Sequence, residues 1–143
     1  MQTNTKAALD ILKTAKDLLT TKGHTKGTLA RSANGERVFI DDPGATRYCA
    51  LGAVLAAAST KTSDYEAFDN LQESACAYLE NVVDLRNFRN AIHVWNDAPE
   101  RTAGEVIHAF SLAIQMAEKD LAEEQKTAEG ISRVVRDLTV GAL

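Results

Sequence analysis

The residue types best able to do chemistry fall in two short stretches. Cys49 lies in "RYCALGAV" (47–54), and His93, Asn96 and Asp97 lie in "HVWND" (93–97). With His24 as a second base, they compose a formal Cys–His–Asn set. In such a set a histidine takes the thiol proton and an amide or carboxylate orients its ring. A nucleophilic cysteine needs a lowered pKa as well as a base within reach, and a place in the second turn of an expected helix, near its positive end, would help. The neighbours point the other way. Ala50, Leu51, Gly52 and Ala53 are small or apolar, and free cysteine is among the most buried residue types. Cys49 therefore reads as a small hydrophobe in the core, with a cysteine-dependent enzyme using Cys49 and His93 as the alternative.

"WNDAPERT" (95–102) reads as a corner between helices. Asn96 suits a left-handed helix end, Asp97 can accept N–H groups of the turn, and Pro99 stops the helix. Arg47 or Arg101 is expected to pair with Asp97. The candidate binding residues are accordingly Arg47, Tyr48, Trp95, Asn96, Asp97 and Arg101. His93 and Asp97 share a helical face at i, i+4, but no third ligand is in sequence register with them, so no metal is expected. The glycines form no phosphate-cradling motif, and no cofactor is expected.

Composition bounds the class. The chain has 143 residues with 45% apolar and 25% charged, an ordinary globular profile for one domain. Two cysteines make no disulfide framework. The opening "MQTNTKAALD" lacks a signal-peptide core, and the longest apolar run is about half of a membrane span. A cytoplasmic protein with no membrane partner is expected. The net charge of −4 is uneven: residues 1–31 carry +4 and residues 32–143 carry −8. Nucleic-acid binding is disfavoured by this balance. It is also disfavoured by the lack of Arg or Lys from 102 to 118, where a helix-turn-helix reader would begin.

These residues must be positioned by helices. Ala8, Leu12, Ala15 and Leu19 mark a first helix over 5–22. Asn34-Gly35 signals a hairpin or ordered loop near residues 28–40. A second helix is expected from Asp42 as N-cap and Pro43 at N1, running through Ala58. Gly52 inside it implies a close approach by another helix. Ser63 and Glu66 cap a third helix. A fourth, over "DLRNFRNAIHVW", turns Leu85, Phe88, Ile92 and Trp95 inward. Thr102 and Glu105 form a capping box for a fifth. An acidic stretch then leads to Gly130 and a short amphipathic helix, with Ile131, Val134, Val135 and Leu138 on one face. The expected fold is all-α, an irregular bundle of about five helices. Residues 1–124 form the domain and 125–143 an extension.

Tyr48-Cys49-Ala50-Leu51-Gly52-Ala53, Trp95-Asn96-Asp97 and Arg101-Thr102 with Glu105-Val106 recur together elsewhere. The chain resembles a family of small uncharacterised proteins from actinobacteria and bacteriophages over roughly residues 5–118. The resemblance implies a phage or mobile-element setting and brings no activity with it. The expected function is a non-catalytic binding protein that engages a host protein, for example to inhibit a defence system. A small-ligand binder, or the cysteine enzyme, is the alternative. The apolar face at 131–139 is expected to dock on its own bundle, on a second copy or on the target, with an intermolecular role favoured and a homodimer its simplest form.

Overall fold

The structure, a computed structural model, describes residues 4–83 and 91–141. It is mainly helical, with five helices and one small sheet among those residues: α1 (Asn4–Thr21), β1 (Ala30–Ser32), β2 (Ala45–Tyr48), α2 (Ala50–Ser59), α3 (Tyr65–Val82), α4 (Ala91–Asp97) and α5 (Ala103–Gly141). Leu85 and Phe88, read above as core residues, lie outside the described residues.

The core forms where three apolar faces meet. α1 buries Ala8, Leu9, Ile11, Leu12, Ala15 and Leu19, the face its 3.6-residue period defines. α5 contributes Val106, Ala109, Phe110, Ala113 and Ala117. α2 is buried on nearly every side, as "ALGAVLAAAS" allows. Its small side chains let neighbouring elements approach from several directions.

Four boundaries differ from the sequence reading, each for a local physical reason. First, α2 begins at Ala50, eight residues after the expected cap. Asp42 and Pro43 build a turn instead. Asp42 Oδ1 accepts the Gly44 N–H at 2.7 Å, and the Asp42 carbonyl accepts the Ala45 N–H at 3.0 Å. Proline at the second position of a turn is as favourable as proline at N1 of a helix. Thr46, Arg47 and Tyr48 then run extended, as β-branched and aromatic residues favour.

Second, β1 pairs antiparallel with β2, with Ala30 opposite Tyr48. The Asn34-Gly35 reversal is still made. The Gly35 N–H donates to the Ser32 carbonyl, Gly35 has φ +84, and Arg31 bridges Arg37. That is a three-residue loop with glycine left-handed, and the segment after it contributes one bridge rather than a strand. Third, the cap of α3 is Asp64, whose carboxylate accepts the Ala67 N–H at 2.9 Å. Ser63 is not the cap.

Fourth, α5 runs unbroken through Gly130 to Gly141, so the expected short C-terminal helix is the end of α5. One glycine costs about 1 kcal/mol against alanine, too little to end a helix flanked by strong helix formers. At the other end of α5 the capping box forms as read. Thr102 Oγ1 accepts the Glu105 N–H at 3.1 Å, and Glu105 accepts the Thr102 N–H at 3.0 Å. The Thr102 N–H, aided by the Thr102 hydroxyl and Arg101, holds the Glu105 carboxyl below its ordinary pKa.

Candidate functional site

The corner between α4 and α5 meets the start of α2 and the loop after α1. Asn96 stands at the centre, in the last turn of α4, with 0% of its surface exposed. Its Oδ1 accepts the Ala50 N–H at 3.0 Å, one of the unpaired donors at the N-terminus of α2. The same oxygen lies 2.7 Å from His24 Nε2. Its Nδ2 donates to the Thr25 carbonyl at 3.1 Å and to Asp97 Oδ1 at 2.9 Å. One amide side chain thus joins three segments of the chain. Asn96 is therefore a helical residue whose side chain does the work, and not a left-handed helix end.

Asp97 Oδ1 also accepts the Gly27 N–H at 3.0 Å, so it fastens the loop after α1 rather than its own turn. Neither arginine pairs with it. Arg101 lays its guanidinium 4.3 Å over the Trp95 ring, donates to the Trp95 carbonyl at 3.0 Å and meets Glu105 at 3.2 Å. Arg47 reaches the Ser32 carbonyl at 3.4 Å. Trp95 is half-buried, packed against the edge of the core as expected, with Arg101 over its other side.

Cys49 is the N-cap of α2. Its Sγ accepts the Gly52 N–H at 3.2 Å, and the residue is 2% exposed. Burial pushes the thiol pKa up, and the nearby Asp97 charge adds to this. A nucleophile needs the opposite. His24 Nε2 faces an oxygen that already accepts the Ala50 N–H. It must therefore donate there, which leaves no lone pair at that nitrogen for a base. His93 is exposed on the far side of α4 and lines a different cleft, with Cys76 and Glu80. Cys76 is no better as a nucleophile: burial, with Glu80 and Glu73 nearby, pushes its thiol up to about 12. Among the described residues no three His, Cys, Asp or Glu side chains are placed to hold a metal.

Native protein at neutral pH is therefore expected to leave Cys49 unmodified by iodoacetamide, read peptide by peptide in a mass spectrometer. Cys49→Ala is expected to cost about 1–2 kcal/mol for one small buried group and a weak cap. Rapid labelling of the folded protein would return Cys49 to the nucleophile role.

The sequence reading missed the other half of the corner, the loop 22–29. Lys26 Nζ donates to the Ala98 carbonyl at 2.7 Å. Arg31 gathers the loop from within, donating to Thr25 Oγ1, the Gly35 carbonyl and the Lys26 carbonyl at 2.9–3.1 Å. Tyr48 pairs with this loop through both backbone groups, its N–H donating to Gly23 and its carbonyl accepting from Thr25, each at 3.0 Å. The signal for it was Gly23 and Gly27 bracketing "HTK": both glycines take positive φ.

A model described as a family of unknown function (DUF6197) matches residues 3–116. The chain belongs to that family. No curated protein and no solved structure matches it. The DUF6197 match takes in the whole corner, from the loop after α1 to the capping box of α5. It stops within α5, so the helix beyond residue 116 lies outside it.

Past the corner the same loop carries an apolar surface. Phe39 is 82% exposed and Leu29 37% exposed. With Thr28, Arg37, Val38, Ile40 and Asp42 they line a cleft of about 570 Å³. Leu29 is fixed from behind, because its carbonyl accepts the Cys49 N–H at 3.1 Å and packs on Gly52.

Proposed function

We propose that this protein is a non-catalytic binding protein that engages another protein. In a phage or mobile-element setting that partner is a protein of the bacterial host, such as a component of its defences. The observation that carries the reading is Phe39. A phenylalanine left in water beside Leu29, on a loop tied down from several sides, has the character of an interface anchor. Long loops inside compact domains are commonly functional when they are ordered, and this one spans residues 22–49 with only short strand pieces. The partner chemistry suited to it is an apolar side chain for the cleft with a carboxylate to meet Arg37. The corner itself supports the non-catalytic part of the reading. Its polar atoms are engaged with one another, and its thiol is sealed.

The cleft's size also suits a small apolar ligand, which makes a ligand-binding protein the second reading. The test is capture from a bacterial lysate with the parent and Phe39→Asp side by side. Phe39 is exposed, so the substitution is expected to change stability by less than about 0.5 kcal/mol. A single protein enriched by the parent and lost with Phe39→Asp is the expected result. No enrichment, or enrichment that Phe39→Asp leaves intact, overturns the reading. A thermal shift from a small apolar compound, without any captured protein, favours the second.

A further inference from the structure

Arg31, Arg37 and Arg47 stand level on three adjacent segments. Arg31 of β1 is the register partner of Arg47 in β2, and on its other side it bridges Arg37, so the three side chains leave one face of the sheet. Residues paired in this way have Cβ atoms about 5 Å apart, and like charges directly opposite each other are destabilising. Here the juxtaposition occurs twice, in a chain whose net charge is −4. Among the described residues no carboxylate pairs with any of the three; the ion pairs formed there are Lys6–Asp10 and Arg101–Glu105. The arginine donors meet neutral oxygens instead. Arg31 is held by Thr25 Oγ1 and the Gly35 and Lys26 carbonyls, and Arg47 reaches the Ser32 carbonyl. Such oxygens satisfy N–H groups but leave the charge uncompensated. They also leave donors over, since a guanidinium has five N–H groups.

Glycines leave these guanidiniums uncovered. Among the described residues the glycines with positive φ are Gly23, Gly27 and Gly35, and all three abut Arg31 or Arg47. A Cβ on Gly23 would lie 3.0 Å from Arg47 Cγ, one on Gly27 3.6 Å from Arg31 Nη2, and one on Gly35 3.8 Å from Arg47 Nη2. Both arginines are half-buried, so they are partly desolvated yet still reachable. We infer that Arg31 and Arg47 form a binding site for a phosphate group, free or carried on a nucleotide, with Arg37 adding to its positive field. A phosphate monoester carries a charge of about −1.5 to −2 at neutral pH and three acceptor oxygens. It can therefore meet two guanidinium forks at once, where a carboxylate offers one charge and two oxygens. Arg31 is already fixed by its acceptors, so little side-chain freedom is lost on binding. The site does not rest on the binding reading above, because neither Arg31 nor Arg47 lines the Phe39 cleft.

The test is an NMR titration of the isotope-labelled full chain with inorganic phosphate and with adenosine monophosphate. Ionic strength is held constant, so that screening by salt does not change. Saturable shifts confined to the amides around residues 25–35 and 45–48 are the expected result, and the tighter of the two ligands names the source of the phosphate. Arg47→Gln keeps the carbon that packs on Gly23 and removes the charge. It is expected to raise the phosphate Kd about tenfold. Arg37→Gln changes an exposed residue and keeps the test readable if Arg47→Gln unfolds. It is expected to raise the Kd about threefold. The absence of a saturable shift with either ligand overturns the site, as does an equal response to acetate. A Kd that neither substitution changes overturns it as well.

Discussion

Asn96→Ala is expected to lose about 3–4 kcal/mol in chemical unfolding, the largest effect of any single substitution in the corner. The amide is fully buried and serves Ala50, Thr25, His24 and Asp97 together. Its removal strands the Ala50 N–H, which is buried, and the Thr25 carbonyl. Each buried group left without a partner costs roughly 1–3 kcal/mol. Asn96→Asp separates the two halves of the role. It keeps an acceptor for Ala50 but loses the donor to Thr25 and sets a second carboxylate against Asp97. It is expected to be nearly as damaging. A parent-like melt for Asn96→Ala would mean that water replaces the amide and that the corner is looser than described.

Gly52→Ala is the second large effect, and its sign is informative. Helix propensity alone predicts a gain of about 1 kcal/mol from alanine in a helix interior. The structure predicts a loss of about 3 kcal/mol, at the upper end of overpacking costs. A Cβ at position 52 would sit 2.0 Å from the Leu29 carbonyl oxygen and 2.8 Å from its carbon. Both are backbone atoms, and the oxygen already accepts the Cys49 N–H. Relief therefore requires moving the strand of loop that presents Leu29. Differential scanning calorimetry reads the sign directly.

Gly52 also shows what the sequence reveals and where it stops. The cost of glycine in a helix called for a close approach, and the approach exists. The sequence suggested another helix, whereas the visitor is the loop carbonyl of Leu29. The apolar periods of α1 and α5 fixed those helices well, because one face of each is buried along much of its length. "DDPGATRY" misled for the opposite reason. Asp followed by Pro opens a helix or a turn with equal comfort, and only the pairing of Tyr48 with Gly23 and Thr25 decides between them. That pairing joins residues far apart in sequence, and local pattern cannot see it. The corner was legible as a place and as a set of residues, Trp95 to Arg101. Its partners were not, because Gly27 and Thr25 act through backbone groups that carry no side-chain signal, and Lys26 reaches Ala98 with an ammonium that reads like any surface lysine. Phe39 fell within the expected hairpin or ordered loop near residues 28–40, with nothing in the local pattern to mark it as exposed. Its exposure follows from β1 pairing with β2 instead of with the segment that holds it.

The central claim is a division of labour: the polar corner holds the loop in place, and the apolar surface on that loop does the binding. The most direct measurement is partner capture scored against thermal stability for Asn96→Ala and Phe39→Asp, run well below the melting temperature of both. The account predicts a lowered melting temperature with capture retained for Asn96→Ala, and an unchanged melting temperature with capture lost for Phe39→Asp. The reverse pattern, with Asn96→Ala melting like the parent yet failing to capture and Phe39→Asp still capturing, would contradict it and make the corner the functional site.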